Sequence, residues 1–558
     1  MALMVTAGLL YPPTMLDSLS YRLPRIFAWL QEGHIQYLPS SEERLNYMPH
    51  SWSLCILPLL QASGDRLEWV WSFVSWIALS LMAYEWALEL NTDLQGEASV
   101  RPGGRSRARQ MAFIAATSMF AVLQAESSAN DLFATATLLL ALRFVMDFEK
   151  TRRWTEINWA VLSFCLAGGT KPQYCVFGLP LMLWFFAAPS KPWKSFRWIW
   201  TPVVAVVWVL CSPVPSFAMN VHTYGTIAGP GLNQSITGKG PPWNWVLGGT
   251  MIAWQAIQPP VSPAGLFNDR LSKAVEKSGL QKVTPRFNLR VSLVCLVDTA
   301  SLGLVASAAW AWGIYLALRH RRVSWQSWRT LALMAGVFSL FIALSRMVSE
   351  TCGRANCGFL YFALPLSMAG WSLISVRKMK VVFYLSLLSA LTALILNPAR
   401  PLWPSQWAHN ELDRSVRFNW LDSKLEPYFK FTERATTARE LITRIPLKEK
   451  QFVVLAGDDR PLLPMFRPYD SGRKVLFLSN HSAPDSLNQL AVNYVIIGGG
   501  AEDDFPELCA YLRQTNDFEL IESRDYTSKL KRGAETWQLF RRRPEPESRT
   551  DSAAARQH

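Results

Sequence analysis

Residues 17–50 read DSLSYRLPRIFAWLQEGHIQYLPSSEERLNYMPH, a polar stretch lodged between apolar segments near the start of the chain. An acid, several arginines, tyrosines and a tryptophan follow a stub of apolar sequence, and a long series of apolar runs comes after. A soluble enzyme does not carry such runs, and a simple anchor does not carry such a loop. The pattern points to chemistry at a bilayer surface.

Composition agrees. Of 558 residues, 50% are hydrophobic and 18% charged, with 25 Trp and 29 Phe; soluble proteins carry about 25% charged residues. The mean hydropathy of +0.10 averages two unlike parts. Residues 1–400 hold nearly all the long apolar runs, and 401–558 read as a soluble domain ending in a polar tail at 541–558.

A spanning helix takes about 20 mainly apolar residues. Candidates lie near 67–90, 109–126, 131–148, 156–170, 173–189, 197–213, 291–318, 328–346, 355–375 and 380–397. Residues 1–12 add a partial span too short to cross, as expected if the chain starts inside its first helix. The total is about eleven. Five basic clusters fall in alternate connections: Arg101 to Arg109, Lys150 to Arg153, Lys191 to Arg197, Arg319 to Arg322, and Arg377 to Lys380. Basic loops mark the cytoplasmic side, so the formal charge of +14 reflects topology and not a nucleic-acid partner. The opposite, extracytoplasmic face receives loop 13–66, the turns at 126–131 and 170–173, the long loop 214–290, the 347–356 turn and the C-terminal domain. Segments 18–31 and 50–64 read as interfacial helices.

The C-terminal part contains three short apolar runs, QFVVLAG (451–457), KVLFL (474–478) and YVIIGGG (494–500), which read as buried strands of a small α/β domain. The glycines at 498–500 lack phosphate-loop spacing and read as a strand-end turn. Eight Cys are scattered without zinc-ligand spacing; Cys352 and Cys357 lie close enough either to pair or to remain two thiols.

On the extracytoplasmic face, Asp17 follows the first apolar segment. A carboxylate there can take a proton from an acceptor or hold a divalent cation, Mg or Mn, against a phosphate; it can also simply cap a helix. Asp131 opens a span at the same face, where a first-turn acid also suits the helix dipole. Glu126 competes with it. Lys171 lies in a turn between spans, Arg22 and Arg25 near the first acid, and Arg354 in another turn. Guanidinium forks and ammonium groups suit a lipid phosphate. Asp298, just inside a span, requires a partner, and an arginine is the natural one. His50, Tyr224 and Trp243 are candidate substrate contacts, with an ordinary surface histidine and interfacial anchoring as the competing readings.

YRLPRIFAW (21–29), NYMPHSW (46–52), NDL (130–132) and TKP (170–172), in this order and on one face, resemble the GT-C glycosyltransferases of family 39. These are the bacterial relatives of protein O-mannosyltransferases and of the lipid A aminoarabinose transferase. The resemblance covers about residues 10–400. It implies a polytopic α-helical membrane protein of the bacterial inner membrane with a small extracytoplasmic α/β domain. It further implies transfer of a sugar from a polyprenyl-phosphate donor to an extracytoplasmic lipid, glycan or protein. Asp17 would then be the base or metal-proximal acid, Asp131 its partner, and Lys171 with Arg22 or Arg354 the phosphate clamp. Arg22 stands where relatives often have His, and no second acid adjoins Asp17. Three competing functions are a flippase for lipid-linked sugars, an O-antigen ligase or polymerase, and a non-enzymatic scaffold. The rim position of both acids disfavours the flippase and is unexplained by the scaffold; the ligase would carry its arginines late in the chain.

Overall fold

The computed structural model describes residues 1–95, 102–177, 185–186, 191–195, 201–227, 229–230, 244–262, 264–280, 287, 289, 292–320, 352–405, 419–469, 472–527 and 534–544. The chain divides into two compact units. One comprises Met1–Ser18 with Asn46–Phe431, the other Leu19–Leu45 with Thr432–His558. Sequence reading placed 19–45 with the membrane module, and the structure groups it with the C-terminal segment.

The first unit is helical. Its main described helices are Ala2–Leu10, Ser51–Ser63, Val70–Gln95, Pro102–Ala116, Met119–Ala125, Asp131–Thr151, Trp154–Thr170, Thr201–Cys211, Val214–Tyr224, Leu304–His320, Cys352–Leu360, Leu364–Trp371 and Val376–Ile395. Among the described residues, Val70–Leu90 and Val376–Ile395 are long and apolar enough to cross a membrane. Val203–Cys211 and Val214–Tyr224, bent by 60°, make a third if they form one span. The span expected at 328–346 lies outside the described residues.

Among the described residues two expected spans are divided, and a third, 291–318, is helical only from Leu304. Residues 109–126 divide at Thr117–Ser118, where Ser118 caps the second helix by accepting from the Ala121 N–H. The freed N–H groups of Met119 and Phe120 donate to the carbonyls of Leu302 and Ser301. An apolar window sees only composition. It cannot see that a Thr-Ser pair with partners from another segment ends one helix and starts the next. Residues 355–375 form two helices joined by a 3₁₀ turn, Tyr361–Ala363, with Pro365 in the first turn of the second.

Small residues set the closest approach between helices. Gly358 faces Asp131–Thr151 and the turn after Trp154–Thr170: a Cβ there would lie 1.9 Å from the Tyr174 hydroxyl and 2.5 Å from Thr135 Oγ1. Around it Leu138, Leu142, Tyr174, Phe359 and Phe362 make a buried cluster. Cys357 is a buried free thiol, and the side chain of Cys352 lies outside the described residues.

The second unit holds a five-stranded sheet. Strands β1 (Gln451–Leu455), β2 (Lys474–Phe477) and β3 (Tyr494–Ile497) fall where the apolar runs predict, and β4 (Phe518–Tyr526) and β5 (Glu535–Arg542) complete it. The order is β2-β1-β3-β5-β4, parallel among the first three strands and antiparallel thereafter. The helix Pro506–Gln514 packs Leu508, Cys509 and Leu512 onto Val453, Val495 and Ile497.

Residues 19–45 are stitched into this unit. Leu462 N–H donates to the Leu19 carbonyl, and Ser41 Oγ donates to the Ala456 carbonyl at 2.6 Å. Arg44 forks onto Glu42 at 2.6 and 2.5 Å and reaches Asp459 at 2.8 Å. The Glu42 carboxylate also accepts the Asp459 N–H at 2.8 Å.

Candidate active site

Four of the singled-out residues meet in the first unit. Asp131 is the first residue of the helix Asp131–Thr151 and is 1% exposed. Lys171, at the end of the next helix, places Nζ 2.6 Å from Asp131 Oδ1. Arg354, in the first turn of Cys352–Leu360, places Nη2 2.8 Å from Asp17 Oδ2 and Nε 3.7 Å from Asp131 Oδ2. Asp298 interacts electrostatically with Arg354. Two carboxylates, one guanidinium and one ammonium therefore come together from four stretches of chain, and Asp298 adds its charge from a fifth.

Exposure grades the cluster. The side chains of Asp131 and Arg354 are 1% and 7% exposed, that of Lys171 13%, and that of Asp17 21%. The most accessible group is thus a carboxylate, with the two cations behind it. A buried ion pair is costly to desolvate unless its members are well hydrogen-bonded. Here the geometry keeps cations poised where an anionic group can share them.

Gln124 was not singled out from sequence and proves central to the scaffold. Its side chain is fully buried, with Nε2 3.4 Å from Asp131 Oδ2 and Oε1 accepting the Leu132 N–H at 2.9 Å. One amide therefore satisfies a free N–H at the helix start and orients the carboxylate beside it. Thr135 Oγ1 donates to the Asp131 carbonyl at 2.7 Å and lies 3.3 Å from the Tyr174 hydroxyl. Ser18, next to Asp17, donates to the Ser128 carbonyl at 3.3 Å. A lone glutamine in an apolar run, seven residues before an acid, was the only available signal.

The other candidates lie elsewhere. Arg22 and Arg25 belong to the second unit and are buried there. The Arg22 guanidinium lies 3.2 Å from the Tyr21 hydroxyl, and that of Arg25 lies 5.2 Å over the Trp29 ring. His50 is buried in the first unit, its N–H donating to Ser216 Oγ and its ring 3.3 Å from the Asn46 carbonyl. Tyr224 is half-buried at the end of its helix. Trp243 lies outside the described residues. Among the described residues no three His, Cys, Asp or Glu side chains converge as metal ligands. Asp17 is paired with Arg354.

Two solved structures resemble the chain at low superposition. The crystal structure of ArnT from Cupriavidus metallidurans bound to undecaprenyl phosphate is 13% identical, with a TM-score of 0.46, covering 96% of each chain. The same protein in the apo state is 10% identical, with a TM-score of 0.47 and the same coverage. No curated protein matches. Residues 100–217 match the family model of dolichyl-phosphate-mannose-protein mannosyltransferase. That segment contains Asp131, Gln124 and Lys171, and over it the resemblance to the GT-C membrane glycosyltransferases is borne out.

Proposed function

We propose that the chain is an integral membrane glycosyltransferase that moves a sugar from a polyprenyl-phosphate donor to an extracytoplasmic acceptor. The observation that carries this reading is the convergence of Asp17, Arg354, Asp131 and Lys171. The family match adds a donor of the polyprenyl-phosphate-sugar kind.

In this reading the acceptor hydroxyl or amine attacks the anomeric carbon while its proton passes to the Asp17 carboxylate. The bond from that carbon to the phosphate oxygen breaks, and the anomeric centre inverts. The polyprenyl phosphate leaves with the bonding electrons, and Arg354 and Lys171 stabilise its charge. Asp131, fixed by Gln124, holds both cations in place before the donor arrives. Entry of the phosphate draws Arg354 toward a second anion and loosens its hold on Asp17, which raises the basicity of that carboxylate. Two protein cations thus supply positive charge to the departing phosphate, and Asp17 is the carboxylate that would hold a divalent cation there. The lipid lies between helices of the first unit. In this reading the chemistry takes place on the extracytoplasmic side of the inner membrane, and the C-terminal domain is exported.

Purified, detergent-solubilised protein given radiolabelled polyprenyl-phosphate sugars and a membrane extract tests this. Wild type transfers label to a new product, and Asp17→Asn slows transfer about 10²–10⁴-fold, the usual contribution of a general base, while retaining the wild-type melting temperature. Equal transfer by both proteins removes Asp17 from the mechanism. Tight lipid binding without transfer from any donor replaces the transferase by a flippase.

A further inference from the structure

A second polar centre lies in the first unit and takes no part in the chemistry above. Glu126 follows the helix Met119–Ala125, Glu68 precedes Val70–Gln95, and Asn397 and Arg400 follow Val376–Ile395. All four are 0–1% exposed. Asn397 Nδ2 donates to Glu126 Oε1 at 2.5 Å, and Arg400 pairs with Glu68. Glu126 lies within the field of the same guanidinium. Among the described residues, Glu126 Oε2, Glu68 Oε2 and Arg400 Nε and Nη1 have no hydrogen-bond partner. Buried charged atoms left in this state are expensive, so a packing role alone does not explain two acids where one would pair the arginine.

The centre holds Glu126, the first residue of the segment that runs to Asp131, and the rest of that segment is tied at separate points. Ser72 Oγ donates to the Ala129 carbonyl at 2.8 Å, Ser18 Oγ to the Ser128 carbonyl, and Gln124 ties the segment's end to Asp131 and Leu132. Glu126 is the residue through which this segment reaches the end of Val376–Ile395. We infer that Glu126, with Asn397, Arg400 and Glu68, positions the 126–131 segment and thereby both acids of the proposed site, with Glu126 acting as a neutral hydrogen-bonding group. The inference deepens the transferase reading and rests on it for its link to catalysis. Neutrality follows from the charge count: two carboxyls share one guanidinium in a dry pocket. Glu68 holds the direct pair, so the centre is balanced when Glu126 keeps its proton.

A neutral group can be replaced by an amide. In full-length protein, Glu126→Gln retains transfer within about threefold of wild type, a change under 1 kcal/mol. Glu126→Ala lowers kcat about a hundredfold, as a misplacement of catalytic groups by about 1 Å does, with the donor KM little changed. Hydrogen exchange reads the anchor without reference to activity: the amides of 127–132 exchange at least ~10-fold faster in Glu126→Ala than in wild type, and Glu126→Gln matches wild type. Asn397→Ala removes the same hydrogen bond from the other side and reproduces the Ala phenotype if Glu126→Ala does not fold. Unchanged exchange in both Ala variants overturns the anchor. Glu126→Gln with intact exchange but activity as low as Glu126→Ala overturns the positioning role, because the carboxyl itself is then used. If wild type transfers no sugar, the functional reading fails while the exchange data still decide the anchor.

Discussion

Arg354 in the first unit and Arg44 in the second are both ringed by acids, yet they are built for opposite ends. Arg44 closes on itself: it forks onto Glu42 and reaches Asp459, its guanidinium lies 4.8 Å over the Tyr21 ring, and Glu42 takes a backbone N–H besides. Arg354 is held more loosely. It has one close contact to Asp17, stands 3.7 Å from Asp131, and leaves the shortest contact of that acid to Lys171. A bidentate fork sealed by an aromatic face is a clasp. A guanidinium shared among carboxylates from separate segments can exchange one anion for another, as a phosphate site requires.

The largest effect that would break this contrast concerns the clasp. Arg44→Ala leaves the buried Glu42 carboxylate without its cation and destabilises the second unit by about 3–5 kcal/mol. Thermal melting and proteolysis within 19–45 report it, and transfer per folded molecule stays at the wild-type level. Lost transfer with unchanged melting would make Arg44 part of the site and end the distinction. Arg354→Lys is the next in size. It keeps the charge but not the fork, and a charge-assisted hydrogen bond is worth about 1.5–3 kcal/mol, so kcat/KM for the donor falls about ten- to hundredfold while melting is unchanged. A fully active Lys variant would show that Arg354 supplies only charge. Gly358→Ala sharpens the comparison at a distance: its Cβ meets Tyr174 and Thr135, and the overpacking costs about 1–3 kcal/mol. Because Gly358 shares a short helix with Arg354, the donor KM rises along with the loss of stability. A normal KM in a destabilised protein would detach the helix position from phosphate binding.

Much of this arrangement was legible as chemistry and little of it as geometry. Asp17, Asp131, Lys171, Arg354 and Asp298 stood out because charge is rare beside apolar runs. That they converge depends on the close packing around Gly358, which no local pattern records. Arg22 and Arg25 looked equivalent to Arg354 for the same reason, and only the fold assigns them to another unit. Strands β1 and β3 were visible as runs of Val, Ile and Leu buried on both faces, and β2 as a short apolar run whose burial alternates. β4 and β5 were not: FELIESRDY is mostly exposed, and its pairing uses contacts such as Arg541 with Glu519 that mimic a polar loop. Gln124 was hidden because an uncharged amide in an apolar helix has no periodic signature.

The stitching of residues 19–45 into the second unit also sets a timetable. Ser41 and its partner Ala456 are 415 residues apart. At synthesis rates of about 5–20 residues per second, the loop waits on the order of 20–80 s for its binding surface to exist. During that interval Phe27, buried in the finished protein, lacks Phe466 and Tyr469, the rings that it packs against. The beginning of this chain is therefore the last part to be finished. A nonsense mutation just after 450 removes Ala456, Asp459 and Leu462, the partners of this loop, and a helper that shields the nascent loop has a defined window in which to act.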